Sequence, residues 1–368
     1  MSRPVSGTRP ERPRVHDWSG HDTGSPPRRR WPGPRRVGQR TDTRRKGTVM
    51  TAISQDVPNI PHSDVTPLAG RVGAIVSNIR LSGDLPDSTI ARLEQLLRLH
   101  KVLFFRDQSH LDDAEQERFG ARFGEPFAHP TQGALSGTAS VLDLDTRRDR
   151  EPKAGEAGGA RADQWHTDIT FVEAYPRITI LRSVVAPASG GDTVFSNTVA
   201  AYESLPEPLK ALADRLWAVH SNAYDYAAVR PHATADEQKQ FARQFTSTVF
   251  ETEHPVVRVL PSGERTLLLG NFVQRFTGIA RADFQKLFAL FQDHIQAQEN
   301  TVRWRWQAGD VALWDNTATQ HYAVNDYGDQ HRVVRRVTIA GDVPVSVDGK
   351  RSVARSRFEK PDAAIAAE

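Results

Sequence analysis

The chain has 368 residues, enough for one large domain or two small ones, and its 38% hydrophobic and 25% charged residues are ordinary values for a globular protein. No apolar run approaches the roughly 20 residues that a membrane-spanning helix needs. The sequence contains no cysteine. This excludes disulfides, zinc–thiolate sites, iron–sulfur clusters and thiol nucleophiles, and it fits a reducing, cytoplasmic location.

The net charge of +3 is divided unevenly along the chain. Residues 1–49 hold 13 basic and 4 acidic residues, a net charge of +9, whereas residues 50–368 carry a net charge of −6. A basic composition usually indicates binding to nucleic acid or to another anionic surface. Here that inference is confined to the first 49 residues, and the acidic remainder argues against both nucleic acid and a membrane as partners.

The first 49 residues contain seven Pro and six Gly and show no helical or strand periodicity, so we expect them to be disordered. Three interpretations are open. The segment could be a basic arm that binds nucleic acid, or a transit peptide, although its prolines would break an amphipathic helix. It could also result from a start codon assigned too far upstream, because Met50 is the only methionine after Met1 and marks the change in composition.

Hydrophobic periodicity predicts the elements of the first half of the folded part. Strands with a turn at residues 69–70 are predicted over 65–79, a helix over 88–100, a buried strand over 102–105 and a second helix over 112–123. A charged, Gly-rich loop follows over 146–162. These elements begin a domain that we expect to span residues 65–345, ahead of a polar C-terminal tail over 346–368 that frays.

The second half alternates short strands with helices. Strands are predicted over 178–185, 193–196, 256–259, 266–269, 302–306, 311–314 and 333–339, and helices over 200–213, 235–243 and 281–297. Many short strands interrupted by helices predict a mainly β (α+β) fold, with a sandwich or barrel wrapped by helices.

The strongest local signal is the segment Trp165-His166-Thr167-Asp168. Side chains two residues apart on a strand project to the same face, so His166 and Asp168 could bind one metal ion, with His321 as a third ligand. Two His and one carboxylate form the triad of non-haem Fe(II) oxygenases, which leaves positions open for a co-substrate and O₂. An isolated H-x-D pair is more often a surface loop or a hydrogen-bonded core pair.

Two arginines lie in the strand-like run that begins at Arg332. Arg332 and Arg336 are predicted to share one face of the strand, with Arg335 on the other. Arginines that face an apolar interior need an anion, and a planar guanidinium binds a carboxylate through two parallel hydrogen bonds. The alternative is an exposed edge strand with solvated arginines.

Several motifs in a fixed order extend these signals. The chain resembles the taurine dioxygenase/TfdA-type family of Fe(II)- and 2-oxoglutarate-dependent dioxygenases, and within it most closely the bacterial alkylsulfatases. The resemblance covers residues 68–345 and rests on HKVLFFR (100–106), FGEP (123–126), WHTD (165–168), GGDT (190–193), HPVVR (254–258), RWRW (303–306), WDN (314–316) and TQH (319–321). Two positions depart from the family pattern: Thr317 replaces an arginine common after WDN, and Arg335 replaces a histidine common before the second arginine.

The resemblance implies a double-stranded β-helix (jelly-roll) core with flanking helices, and it implies roles for single residues. The matching residues are His166, Asp168 and His321 for iron, Thr193 and Arg332 for the distal carboxylate of 2-oxoglutarate, and His129, Ile169 and Arg336 for the substrate.

The resemblance also implies a reaction with Fe(II), 2-oxoglutarate and O₂. The carbon next to a sulfate ester or sulfonate of an anionic organosulfur substrate would be hydroxylated, which would release sulfate or sulfite and an aldehyde, with succinate and CO₂. Taurine and carboxylates such as aryloxyalkanoates are the alternative substrates, and a non-catalytic nucleic-acid-binding protein is the alternative of another class. A homo-oligomer, a dimer or tetramer, is expected.

Overall fold

The structure, a computed structural model, describes residues 60–146, 163–223 and 248–359. The described residues all belong to one compact unit, Gln55–Glu368. The basic segment 1–49, most of the loop predicted over 146–162 and the helix predicted over 235–243 lie outside the described residues. Within the described ranges, no helix is both long and apolar enough to cross a membrane.

Helices and strands alternate along the described chain. The helices are α1 (Asp87–His100), α2 (Asp113–Ala121), α3 (Thr198–Ser204), α4 (Glu207–Ala213) and α5 (Arg281–Ile295), with 3₁₀ turns at His62–Asp64 and Gln298–Asn300. The first eight strands are β1 (Val65–Pro67), β2 (Ala74–Val76), β3 (Val102–Phe105), β4 (Leu142–Asp145), β5 (Ile178–Val185), β6 (Thr193–Asn197), β7 (Trp217–Ser221) and β8 (Thr248–Pro255). The others are β9 (Val257–Val259), β10 (Arg265–Leu267), β11 (Val273–Phe276), β12 (Thr301–Trp304), β13 (Val311–Asp315), β14 (Thr319–Ala323), β15 (Val333–Ile339) and β16 (Val353–Glu359).

The strands form a large sheet, a small sheet and two further sheets. The large sheet has the order β1-β2-β3-β13-β5-β15-β4, and the small one β12-β6-β14. The others are β11-β7-β8-β16 and the pair β10-β9. Nearly all pairings are antiparallel, with β2 and β3 the parallel exception among the described pairs. Two antiparallel sheets that enclose a core make the jelly-roll, and the predicted fold class is confirmed.

The large sheet is buried on both faces, and β3 shows why its sequence is apolar throughout. Val102 and Phe104 point to a core shared with the small sheet, where Phe104 stacks on Trp304 with ring centroids 4.2 Å apart. Leu103 and Phe105 point to the opposite core, under α1 and α2. A strand covered on both faces needs no polar alternation.

The same alternation along β5 and β15 selects the side chains that reach the interior. On β5, Ile178 and Ile180 pack under the helices, which leaves Thr179 on the interior face. On β15, Val337 lies under the helices and Val334 in the interior core, so Arg336 faces the interior. These two interior polar residues are important for the site.

The prediction that the C-terminal tail frays is wrong for residues 353–359. Residues 353–359 do not fray but form β16, an edge strand paired with β8 from Val353↔Glu253 to Glu359↔Thr248. Its sequence is polar because most of its side chains are exposed, and the strand is held by the backbone ladder and by the cross-strand pair Arg355–Glu253. Residues 360–368 lie outside the described part.

Two further differences concern one helix that is divided in two and several strands that were not predicted. The helix predicted over 200–213 is two helices, because Pro206 forces the preceding Leu205 into an extended conformation with ψ 140°. Strands β4, β7, β8, β11, β14 and β16 were not predicted. Most of them carry charged, polar or histidine residues that interrupt the apolar pattern, so periodicity alone gives a weak signal.

Candidate metal centre and substrate pocket

The three residues of the predicted triad lie close together, beside β14 of the small sheet. His321 lies on β14, and its N–H and C=O exchange hydrogen bonds with the C=O and N–H of His166, at 2.8 and 3.0 Å. The prediction that His166 and Asp168 lie on a strand is wrong. His166 forms an isolated bridge with His321, and the chain turns at Asp168 because Ile169 takes a left-handed conformation with φ 59°.

The triad has the donor set of a divalent-metal site. One Asp168 carboxylate oxygen lies 3.9 Å from His166 Nε2 and 4.0 Å from His321 Nε2, and all three side chains are buried. His166 Nδ1 lies 2.7 Å from the carbonyl oxygen of Gln164. A carbonyl can only accept, so Nδ1 carries the proton and the Nε2 lone pair is left for a metal. Two imidazole nitrogens and a carboxylate suit Fe(II) and leave coordination positions open.

Both the backbone and the carboxylate of Asp168 are held by buried polar groups. Asn316 accepts from the Asp168 N–H at 2.9 Å and donates to its C=O at 3.1 Å. Thr179 donates to one carboxylate oxygen at 2.9 Å, and Arg336 Nη1 donates to the other at 2.7 Å. From the sequence, Asn316 was noted only as part of the WDN motif, and Thr179 was not singled out. A threonine in the apolar run of β5 was the available signal.

The charges at the site fix its protonation state. Burial raises the pKa of Asp168, but Arg336, His321 and His166 together outweigh that effect and lower it to about 2. Burial lowers the pKa of His321 to about 3, assisted by His166, and also lowers the pKa of His166. At neutral pH the triad therefore offers two neutral imidazoles and one carboxylate, which is the form that binds a metal.

Ile169 begins an apolar wall beside the triad. Ile169, Phe171 and Phe272 are buried, with Phe127, Val172 and Phe250 packed against them. The ring of Phe272 lies 6.4 Å from that of His166, centroid to centroid. That Ile169 lines a substrate pocket stays a prediction, and the aromatic members of the wall were missed because isolated phenylalanines carry no spacing signal.

His129 and Arg336 lie at the junction of the wall and the triad. The ring of His129 is 6.5 Å from that of Phe171, and burial lowers the pKa of His129 to about 3, with Arg336 as the second cause. The backbone N–H of Thr131 donates to His129 Nδ1 at 3.3 Å. In the neutral ring this leaves the proton on Nε2, which is a donor. Arg335 faces away and pairs with Asp143 and Asp113, as strand alternation predicted.

Thr193 and Arg332 lie at the start of β6. Thr193 opens β6, two residues before Phe195, which pairs with His321. Trp306 Nε1 donates to Thr193 Oγ1 at 2.9 Å, so the hydroxyl hydrogen is available to an acceptor. A Cβ built on Gly191 would lie 3.5 Å from Arg332 Cδ, which places this arginine against the same GGDT turn.

The guanidinium of Arg332 differs from those of Arg335 and Arg336 in its surroundings. Burial lowers its pKa, and among the described residues no carboxylate pairs with it. Its guanidinium, which no described carboxylate pairs with, lies against the turn that leads to Thr193 and could hold an anionic group such as a carboxylate.

The other buried histidines lie outside the triad. His254 is a core histidine with a partner for each ring nitrogen: these nitrogens lie 2.6 Å from Ser352 Oγ and 2.8 Å from the carbonyl oxygen of Thr170. His220 is buried and lies 2.9 Å from Thr170 Oγ1 through Nδ1. Neither belongs to a three-residue metal cluster in the described part of the chain.

Comparison with known proteins gives one consistent family. An α-ketoglutarate-dependent sulfate ester dioxygenase of Pseudomonas putida is 58% identical over 296 residues, 79% of this chain and 95% of that protein. An alkylsulfatase of Acinetobacter baylyi is 51% identical over 283 residues, 77% of this chain and 86% of that protein. The crystal structure of a taurine dioxygenase from Burkholderia xenovorans is 35% identical with a TM-score of 0.65, covering 79% of this chain and 94% of that one.

The family match extends over most of the described fold and over the whole triad. The model of the family described as taurine catabolism dioxygenase TauD, TfdA family, matches residues 64–338. The jelly-roll and the His-Asp-His donor set agree with that match. The chain therefore belongs to the TauD/TfdA family, whose members are dioxygenases that use Fe(II), 2-oxoglutarate and O₂.

Proposed function

We propose that this dioxygenase acts on alkyl sulfate esters, hydroxylating the carbon bonded to the ester oxygen. The observation that carries the proposal is the junction at Arg336. There, an arginine and a neutral histidine meet an uncharged apolar wall directly beside the triad. The names of the two relatives above half identity, a sulfate ester dioxygenase and an alkylsulfatase, support the same substrate class.

The proposed iron ligands are His166, Asp168 and His321, and Thr193 with Arg332 would hold the distal carboxylate of 2-oxoglutarate. When bound, iron with 2-oxoglutarate and O₂ supplies the oxidation of a C–H bond to C–OH. One oxygen atom enters the product and the other enters succinate as CO₂ leaves. The protein's own task is to place one C–H bond next to the metal.

Arg336 can bind a sulfate and Asp168 at the same time. Its guanidinium has five N–H donors in a planar fork, and a single one is used on the Asp168 carboxylate. The others can reach a sulfate, which also needs a donor from another direction because its three free oxygens are arranged tetrahedrally. His129 Nε2–H is the proposed second donor.

The apolar wall would take the alkyl chain. All six of its side chains are uncharged, and four are phenylalanines. A buried apolar side chain contributes about 1.5–3 kcal/mol, so a matching aliphatic chain gains affinity there. The ammonium group of taurine would be desolvated without a counter-ion against this wall, which favours an alkyl sulfate over taurine.

The products follow from the chemistry of the hydroxylated carbon. A carbon that bears both a hydroxyl and a sulfate ester collapses: the C–O bond to sulfate breaks, the hydroxyl oxygen becomes the carbonyl of an aldehyde, and its proton leaves. A sulfonate would collapse in the same way by breaking its C–S bond, releasing sulfite.

The test is a panel of substrates matched in chain length: an alkyl sulfate, the alkyl sulfonate, the carboxylate and taurine. With Fe(II), 2-oxoglutarate and O₂, we expect sulfate and succinate in equal amounts from the alkyl sulfate. Arg336→Ala should raise the KM of that substrate about tenfold or more, since a charge-assisted hydrogen bond contributes about 1.5–3 kcal/mol. Arg336→Lys should recover part of the loss.

Two outcomes would contradict the substrate assignment. One is coupled turnover of carboxylates or taurine alone. The other is an unchanged KM for the alkyl sulfate in Arg336→Ala. Succinate formed without substrate in that variant would show that the iron site is intact.

The proposal includes a homo-oligomeric, cytoplasmic enzyme whose partners are small anions rather than nucleic acids or membranes. The net charge of −6 over residues 50–368 argues against nucleic acid as a partner, and the lack of cysteine fits the cytoplasm. Light scattering of the purified protein would establish the oligomeric state.

A further inference from the structure

Thr170 is held by two buried histidines from the sheet β11-β7-β8-β16. His220 on β7 contacts its hydroxyl, and His254 on β8 contacts its carbonyl oxygen. The two rings are perpendicular, with centroids 4.9 Å apart, and both are inaccessible to solvent. Since Thr170 follows Asp168 by two residues, the pair lies behind the turn that carries the carboxylate of the triad.

The hydrogen-bond roles of His254 follow from its partners. The Thr170 carbonyl can only accept, so His254 Nε2 carries the proton and Nδ1 accepts from the Ser352 hydroxyl. Ser352 is buried and directly precedes β16. A chain of contacts therefore runs from the C-terminal strand through His254 to the Thr170 backbone.

The residue between Asp168 and Thr170 is strained. Ile169 has φ 59°, a left-handed conformation that is costly for a β-branched residue, about 1–3 kcal/mol. Such a conformation persists only where the surroundings fix the residues on both sides. Asn316 fixes Asp168 on one side, and the histidine pair fixes Thr170 on the other.

We infer that His220 and His254 are positioning residues for the oxygenase reaction. By holding Thr170, they maintain the left-handed turn that presents the Asp168 carboxylate to the metal and the Ile169 side chain to the substrate. Neither histidine contacts the reacting atoms, and their effect reaches the reaction through Thr170. The inference rests on the proposed function only for the identity of the substrate.

The expected defect is a loss of coupling rather than a general loss of activity. If the turn relaxes, the substrate C–H bond shifts relative to the metal, and a displacement of about 1 Å can cost about 100-fold in rate. Decarboxylation of 2-oxoglutarate depends less on the position of Ile169. Product released per succinate should therefore fall.

The test compares His254→Leu, His220→Leu and the milder Thr170→Val and Ser352→Ala with the wild-type full chain. The assay uses the substrate from the panel that the wild type couples best. We expect kcat for coupled turnover to fall about tenfold or more in His254→Leu, with a lower product-to-succinate ratio in all four variants. His254→Gln should recover much of the coupling, because its amide can donate to Thr170 and accept from Ser352. Dissociation constants for Mn²⁺, measured by EPR without O₂, give a second readout on the Asp168 position.

His110→Leu is the matched control, since His110 also bonds a carbonyl, that of Leu81, whose side chain lies in the core under α1 and α2. It should lower the thermal midpoint without changing the ratio. A double-mutant cycle of Thr170→Val with His220→Leu should be non-additive if both act through one contact.

The inference is overturned if the histidine and Thr170 variants keep the coupling and the Mn²⁺ affinity of His110→Leu. This outcome is separate from a failure of the proposed function. If the proposed function failed, the wild type would couple best with a substrate other than a sulfate ester. The variants would then be compared on that substrate.

Discussion

The two segments that carry the triad are built in opposite ways. His321 lies on β14, a regular strand whose backbone is paired on one side with β6. Residues 168–170 belong to no strand, and side chains hold them: Asn316, Thr179 and the histidine pair. His321 is positioned by a ladder of main-chain hydrogen bonds, whereas Asp168 is positioned by a few buried polar side chains.

This difference shows where the site should be sensitive to mutation. A backbone ladder tolerates most side-chain changes, because each hydrogen bond is made by groups that every residue has. The irregular segment depends on particular side chains, and each of them leaves a buried group unpaired when it is lost. The same segment also carries Ile169, which lines the proposed pocket, so its accuracy matters for both metal and substrate.

Substitution of the metal ligands themselves should have the largest effect on activity, and this effect should be the same for both segments. Asp168→Ala and His321→Ala should each abolish 2-oxoglutarate turnover, because a site with two remaining donors no longer holds Fe(II) firmly. The measurement is succinate formation with added Fe(II), with circular dichroism to show that the fold is kept. Full activity of either variant would remove that residue from the iron site.

Substitutions at two buried amides, Asn316 and Gln320, compare how strongly each segment depends on its side chains. Asn316 bonds to the Asp168 N–H and C=O and to the Pro176 carbonyl, whereas Gln320, beside His321, pairs with the side chain of Gln292. Asn316→Ala leaves several backbone groups unpaired, at about 1–3 kcal/mol each. It should lower both the free energy of unfolding and coupled kcat. Gln320→Ala should lower stability with little change in kcat, because the ladder still holds His321. Denaturant titration and steady-state assays measure both, and equal losses of kcat would refute the distinction.

Gly270 tests the contact between a loop and the His166 backbone. Its φ is +120°, and an added Cβ would lie 3.1 Å from His166 Cα. Gly270→Ala should destabilise the protein by about 1–3 kcal/mol and weaken metal binding. Gly263→Ala is the control, since Gly263 also has a positive φ of +85° but nothing within 4 Å of the added Cβ. Calorimetric metal titration of both variants isolates the contact, and equal affinities would show that His166 is insensitive to it.

The smallest effect is expected from Thr179→Val, a change of nearly constant shape. In the wild type, the hydrogen bond from Thr179 to one Asp168 oxygen helps to lower the pKa of that carboxyl, and the substitution removes this bond. The apparent affinity for Fe(II) or Mn²⁺ should fall about tenfold, the lower end of the range for outer partners of metal ligands. Thr338→Val, at the cross-strand position, removes a bond to the Phe127 carbonyl and should leave metal affinity unchanged. An equal loss in both variants would mean that the hydroxyl of Thr179 has no special role.

The sequence predicted well those parts of the fold that depend on continuous apolar runs. β3, β5 and β15 were predicted with their observed bounds, because VLFF, ITILRSVV and VVRRVTI are dense in β-branched and aromatic residues. β16 could not be predicted in this way, since its polar sequence becomes a strand only by pairing with β8, which is distant in the chain.

For the site, the sequence indicated the triad, and strand alternation put Arg336 and Arg335 on opposite faces of their strand, as observed. The contacts that fix the triad were not predictable, because Thr179, Asn316 and the histidine pair meet Asp168 and Thr170 only after the sheets have formed. The left-handed Ile169 was also unforeseen, since isoleucine normally avoids that conformation. The Arg336 variants test the role of that residue, and the roles of Thr193, Arg332 and His129 remain predictions.

The reciprocal backbone pair between His166 and His321 has a consequence for the stability of the whole protein. An ion held by the triad would join two segments that are far apart in the sequence, as a disulfide does in a secreted domain, and this chain has no cysteine with which to make one. A ligand that binds only the native state adds about 2.7 kcal/mol of stability at 100 times its dissociation constant. Resistance to heat would then depend on the supply of free metal in the cell.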